Sequence, residues 1–229
     1  MNSSQTNNIL AALPGSALEK FARNLRPVQL KVGDVLYEPE ERIEHVYFPT
    51  EGVISLLTAF GDGATVEAGV IGREGMLGTA VVMGAKTTPH QALVQADGHA
   101  LKMAAHDLKA TLEGDGLLLD LLLHFTNALF TQVAQTAGCN RAHSLEQRLA
   151  RWLLLTHDRV EQNEFAITQD FLSRMLGVRR AGVSVAANTL REMRAIDYRR
   201  GKVVVLDRSG LENASCECYS IVKAEYDHL

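Results

Sequence analysis

Cysteine is scarce in this chain of 229 residues, with Cys139, Cys216 and Cys218 the only three. Three thiols so unevenly placed cannot form a disulfide framework. No run of 18 apolar residues occurs, which argues against a membrane-spanning helix. Met1 to Leu10 are mostly polar and uncharged rather than basic and then apolar, so no secretory leader is expected and the chain is read as cytoplasmic. Gly-x-Ser-x-Gly and His-Glu-x-x-His are both missing, which leaves an enzyme reading without residues to rest on. The stretch from Gly78 through Gly84 to Lys86 comes near a phosphate loop. It has five residues between the glycines where four are needed, an extra alanine before Lys86, and Pro89 where a helix must follow. What is present is an ordinary globular composition, 46% apolar and 22% charged, so extended disorder is excluded.

The net charge of −4 hides an asymmetry. Residues 141–209 hold 13 Lys and Arg against 8 Asp and Glu, while the remainder holds 10 against 19. A basic segment in an acidic chain suggests a local polyanion-binding surface; scattered solvated arginines would give the same count.

Residues 13–26 predict a short helix with Leu18, Phe21 and Leu25 inward, Ser16 as cap and Pro27 as stop. From Val28 to about Lys109, short apolar stretches alternate with glycine turns, which predicts an all-β sandwich or barrel. Residues 117–142 predict a long helix of roughly 25 residues. Its apolar positions exceed one face. Either it is buried inside one protomer, or one face packs on the β domain and another on a second copy. Coiled-coil spacing favours the second, with Leu118, Leu122, Phe125 and Leu129 as the dimer interface. Gly138 to His143 reads as a hinge, and Ser144 caps a further helix over 144–158.

Residues 167–195 carry the sharpest signal. Thr168 is a helix N-cap, and Phe171, Leu172, Met175 and Leu176 form an apolar face. Gly177 ends that helix, and a second starts near Arg179 and buries Val183, Ala187 and Leu190. This is a helix-turn-helix pattern. Arg180, Ser184 and Asn188 line the outer stripe of the second helix, flanked by Ala181 and Val185. Such a helix can enter a major groove, with arginine reading guanine and apolar groups meeting thymine methyls. Residues 196–206 then predict a β-hairpin with a basic turn, which makes a winged helix. Arg199, Arg200 and Lys202 are placed to meet phosphates.

The order of a glycine-punctuated β domain, a long helix and a winged helix-turn-helix resembles the cyclic-AMP receptor/FNR (Crp/Fnr) superfamily of bacterial transcription regulators. Gly33, Leu36-Tyr37, Tyr47 and Gly52-Val53 carry the likeness in the first part. ITQDFLSRMLGVRRAGVSVAANTLREM carries it more specifically in the second. The resemblance implies an α+β chain: an N-terminal double-stranded β-helix (jelly roll), a dimerisation helix and a C-terminal winged helix-turn-helix. The corresponding domains are 13–116, 117–142 and 143–210, with 211–229 as a tail. It also implies double-stranded DNA with an inverted-repeat operator, a second copy of the chain and RNA polymerase as partners, and no membrane. Thr168 and Gln169 join the second helix and the hairpin as DNA contacts.

The departures are as informative. Cyclic-nucleotide binders of this superfamily use a glutamate for the ribose and an arginine for the cyclic phosphate. Here Gly75-Met76-Leu77 places Met76 at the glutamate, and His90-Gln91 places His90 at the arginine. These five residues are the candidate effector pocket, the effector is unknown, and cyclic AMP is not expected to be it. The FNR-type cluster draws on cysteines near the N-terminus, which this chain lacks. Cys216 and Cys218 with His228 could hold zinc, though four-ligand spacing is missing, so no metal site is assigned. Oxidation of the thiol pair, or its simple packing, is the alternative. A haem sensor would need one axial ligand from His45, His90, His99 or His124. The leading reading is a homodimeric, sequence-specific DNA-binding regulator. The alternative is a ligand- or protein-binding β-domain module whose winged helix mediates protein contacts.

Overall fold

The computed structural model describes residues 6–114, 116–160 and 162–229. The chain enters through one helical turn, α1 (Asn8–Ala11), not anticipated from sequence. Asn7 anchors it from inside the protein: its side-chain amide donates to the carbonyls of Pro49 (2.9 Å) and Gly75 (2.7 Å), and its Oδ1 accepts from the Leu10 amide. The next helix, α2 (Gly15–Ala22), is shorter than predicted. Pro14 precedes it without a side-chain cap, so Ser16 lies inside the first turn. Strand pairing takes over the residues that follow. Pro27 lies within β1 (Arg26–Leu30), where an edge strand tolerates its missing N–H.

The β domain adds β2 (Val35–Tyr37), β3 (His45–Pro49), β4 (Val53–Ala59), β5 (Thr65–Ile71), β6 (His90–Ala96) and β7 (Gly98–Ala104), with a turn of helix, α3 (Thr79–Val82), between β5 and β6. Two antiparallel sheets result, ordered β1-β7-β3 and β2-β6-β4-β5. Leu30, Val46, Phe48, Ile54, Val94 and Met103 fill the core they share, with Phe21 edge-on to Phe48 at 5.5 Å. This is the jelly-roll arrangement expected.

After α4 (Ala105–Leu112) comes α5 (Gly116–Ala142). Its length, and a mean hydropathy of 1.4 over its most apolar 18 residues, would suffice for a bilayer span. In the fold, its inner stripe is instead buried against the β domain. That stripe includes Leu118, Leu122, Phe125 and Leu129, all enclosed in the core of one protomer. The four residues expected at a dimer interface are therefore buried within the chain itself. The outward apolar side chains are Leu117, Leu123 and Phe130. Gly75 permits the close packing: a Cβ there would lie 2.0 Å from the Phe125 ring. Gly138 is inside the helix rather than in a hinge, and the chain breaks at His143-Ser144.

Ser144 and Gln147 begin α6 (Leu145–Val160) with a reciprocal capping pair, Gln147 N to Ser144 Oγ and Ser144 N to Gln147 Oε1. The sheet alternates its side chains between two cores. Ile54 and Ile71 point into the jelly roll, whereas Val53, Leu57 and Val70 point outward and pack with Leu149, Leu153, Leu172 and Leu176 of the helical half. Polar links reinforce this contact. Arg159 Nε donates to Glu74 Oε1 at 2.8 Å, both side chains being largely buried, and Gln95 Nε2 donates to Thr156 Oγ1. The stretch read as a tail is folded. After α9 (Arg208–Ala214), α10 (Cys218–Asp227) packs along α5 and sets Tyr226 beside Phe125 and under the Arg159 guanidinium.

Candidate nucleic-acid interface and effector cavity

The helix-turn-helix forms from local signals. Thr168 Oγ1 accepts from the Phe171 amide at 3.1 Å and caps α7 (Gln169–Leu176), whose first turn carries Asp170. Gly177, at φ 62°, closes the helix in the left-handed conformation. Then α8 (Arg180–Glu192) starts after Arg179 and buries Val183, Ala187 and Leu190, as expected, together with Ala186. Arg180, Ala181, Val185 and Asn188 are exposed along its outer stripe, and Val185 is 62% exposed. Ser184 differs from expectation. It is half-buried, and its hydroxyl lies 2.7 Å from Gln169 Oε1, so these two residues join α7 to α8.

The wing has three strands. The predicted hairpin is β9 (Ile196–Arg199) and β10 (Lys202–Val205). Arg200 and Gly201 connect them at φ 52° and 77°. Positive φ at both positions is a type I′ turn, which matches the twist of the strands it joins. The third strand, β8 (Glu164–Ala166), pairs with β10 and was missed, being too short to display a period. It matters electrostatically, because Glu164 pairs with Lys202, while Asp197 pairs with Arg199 at 3.0 Å. Among the described residues, Arg179, Arg180 and Arg200 have no ion-pair partner. Exposed pairs such as those of Arg199 and Lys202 are worth about 0–1 kcal/mol. A phosphate can therefore replace the carboxylate at little cost.

A cavity of about 530 Å³ lies between the β domain and α5. Tyr37, Leu56, Ile71, Leu77, Leu123, Asn127 and Phe130 are among its lining residues, and none of them all is Asp, Glu, Lys or Arg. Two of the five pocket candidates, Leu77 and His90, line it. The other three do not. Met76 is wholly enclosed in the jelly-roll core, Gly75 is pressed against Phe125, and Gln91 points outward to donate to Glu38 Oε2 at 2.9 Å. Of His45, His90, His99 and His124, His90 alone lines the cavity, and its buried Nδ1 has no hydrogen-bond partner. Tyr37 was known only as part of a family likeness; its hydroxyl donates to the His45 carbonyl at 2.6 Å, and burial pushes its ionisation up.

Residues 27–115 match a family model described as a cyclic nucleotide-binding domain, and residues 147–214 match one described as a Crp-like helix-turn-helix domain. Together they cover about two thirds of the chain. Several solved structures are similar in fold. The c-di-GMP-responsive global regulator CLP of Xanthomonas campestris is 13% identical, with a TM-score of 0.69 over 84% of this chain and 99% of that one. FixK2 of Bradyrhizobium japonicum is 14% identical, with 0.68 over 84% and 98%. A CRP/FNR-family transcriptional regulator of Thermus thermophilus is 20% identical, with 0.66 over 83% and 98%. No curated protein matches the chain in sequence.

Proposed function

The chain belongs to the Crp/Fnr superfamily of transcription regulators, and on that premise we propose that it acts in the cytoplasm as a homodimer on an inverted-repeat operator. The α8 helix of each protomer enters a major groove and the wing lies on the backbone. One observation carries this reading: Arg179 and Arg180 open the exposed stripe of α8, and among the described residues neither they nor the exposed Arg200 of the wing turn has an ion-pair partner. Arg180 reads a base, Ala181 and Val185 meet thymine methyls, and Asn188 contacts a base or its backbone. Arg179, Arg199, Arg200 and Lys202 hold phosphates. Thr168 and Gln169 act at the start of α7, with Ser184 fixed by Gln169. RNA polymerase is the proposed partner on the bound operator.

The dimer seam we propose is the outward face of α5. Leu123, Asn127, Phe130, Ala134 and Ala137 recur at alternating steps of four and three, which is a coiled-coil spacing. Leu123, Asn127 and Phe130 also line the cavity, so a ligand there would touch the seam. The effector we propose is a small, mainly apolar molecule with one group that bonds to His90. Cyclic AMP and c-di-GMP are not the effectors we propose, because among the described residues no Lys or Arg lines the cavity to receive a phosphate.

Substitution separates the roles on DNA. Arg180→Ala should weaken the specific site by about 1–3 kcal/mol and random duplex little. Lys202→Ala should weaken both alike and reduce the salt slope by about one contact. Equal loss on both duplexes from Arg180→Ala would contradict the assignment. Binding that does not depend on salt would favour a winged helix that makes protein contacts.

A further inference from the structure

The three cysteines, far apart in sequence, converge in space. Cys139 lies in the last turn of α5, and His143 follows one turn later, just past the helix end. Cys216 lies between α9 and α10, and Cys218 opens α10. One ligand atom from each of these four residues lies within 4.8 Å of the other three. Cys139 Sγ is 3.5 Å from Cys216 Sγ, and Cys218 Sγ is 3.7 Å from His143 Nδ1. All three cysteines are buried. We propose that Cys139, His143, Cys216 and Cys218 bind one zinc ion as a Cys₃His site.

The spacing fits a single tetrahedral ion. With Zn–S bonds of about 2.3 Å and a Zn–N bond of about 2.0 Å, the ligand atoms of a tetrahedron stand about 3.5–3.8 Å apart. An iron–sulfur cluster distributes its cysteines over several metal atoms and needs a wider cage. Two further features complete the site. His143 turns Nδ1 toward the sulfurs, and its Nε2 lies 3.3 Å from Glu217 Oε2. A metal-bound histidine uses its second nitrogen in this way, with a carboxylate fixing the tautomer.

The other feature is Arg151. It is 3% exposed, and its Nη1 donates to Thr136. Its buried Nε has no hydrogen-bond partner, and no ion pair is formed by it among the described residues. It lies close enough to Cys139 and Glu67 to act on both electrostatically. Three thiolates around a divalent ion carry one net negative charge, which supplies the counter-charge this buried guanidinium needs. On loading, the three S–H protons pass to solvent and His143 remains neutral, with its proton on Nε2.

The ion would tie the end of α5 to the segment that follows the wing, across the joint where the helical half begins. His228, the histidine near this pair in sequence, caps the end of α10 and is outside the cluster. The long gap between the two ligand pairs is why sequence spacing gave no four-ligand pattern.

The full chain, purified without added metal, should carry one zinc per chain. Exchange with cobalt(II) should give thiolate-to-cobalt charge-transfer bands and the intense d–d bands of a tetrahedral site. Glu217→Gln should weaken zinc about 10-fold or more, Cys139→Ser should abolish stoichiometric binding, and His228→Ala should leave it unchanged. If Cys139→Ser does not fold, the cobalt spectrum of the unaltered chain decides. A chain with little zinc and no cobalt bands would overturn the proposal. So would a metal-free chain with a Cys139–Cys216 disulfide.

Discussion

Glu67 is a carboxylate with no cationic hydrogen-bond partner inside the contact between β5 and α6. Ser55 Oγ lies 2.7 Å from Glu67 Oε2 and 2.8 Å from Gln95 Oε1, and Gln95 donates onward to Thr156. A hydroxyl has one proton and cannot donate to both oxygens. A protonated Glu67 that donates to Ser55, which then donates to Gln95, satisfies the chain; so does an ionised Glu67 that accepts from Ser55 with the Gln95 amide turned over. Burial pushes the Glu67 carboxyl up to about 7, against the opposing pull of Ser55 and the arginines. The sign for stability follows. A carboxyl whose pKa is raised by folding penalises the folded state once the unfolded chain can ionise, so stability falls as pH rises from about 4.5 to about 7. Glu67→Gln should remove this loss, about 3 kcal/mol across that window, in denaturant titrations of both proteins at several pH values. Parallel pH profiles for the two would mean that Glu67 is ionised in the folded state.

Among the elements, α5 divides what sequence could tell from what it could not. Its existence and extent were readable because apolar residues recur every three or four positions without a breaker. Its orientation was not, because Leu117, Leu119, Leu121 and Leu123 add apolar surface to other faces, and periodicity alone does not say which face meets the core. The structure puts Leu118 and Leu122 at no exposure and leaves Leu123 45% and Phe130 70% exposed. Two pairs of substitutions should therefore behave differently. Leu123→Glu with Phe130→Glu should give a folded chain that sediments as a monomer. Leu118→Glu with Leu122→Glu should unfold it, since buried unpaired charges are costly. A folded monomer from the inner pair, with the outer pair still dimeric, would reverse the assignment. The winged helix was more legible, because Thr168, Gly177 and Gly201 each mark a boundary by local chemistry. Three-residue β8 has no such mark. The pocket failed for a related reason: neighbours in extended chain point to opposite sides, so a motif of consecutive residues placed Met76 with Leu77, and Gln91 with His90.

At the scale of the molecule, two cores share one sheet: the jelly roll lies on one side of β4 and β5, and the DNA-binding half lies on the other. The Arg159–Glu74 pair and the Gln95–Thr156 bond cross between them. The cavity lies against α5 and shares Leu123, Asn127 and Phe130 with the proposed seam. Because no Lys or Arg among the described residues lines it, millimolar cyclic AMP is expected to leave the melting temperature unchanged; saturable low-micromolar binding would contradict the proposal of an apolar effector. Sequence-specific recognition by a symmetric pair of α8 helices can be read out by selecting bound sequences from a random duplex pool. The selected pool should be enriched in an inverted repeat whose half-site centres lie about 34 Å apart. Beside the Arg180 contact, A·T pairs should be favoured, since Ala181 and Val185 cannot hydrogen-bond to a base edge. Enrichment of a single direct repeat, or no enrichment at all, would contradict recognition by that symmetric pair.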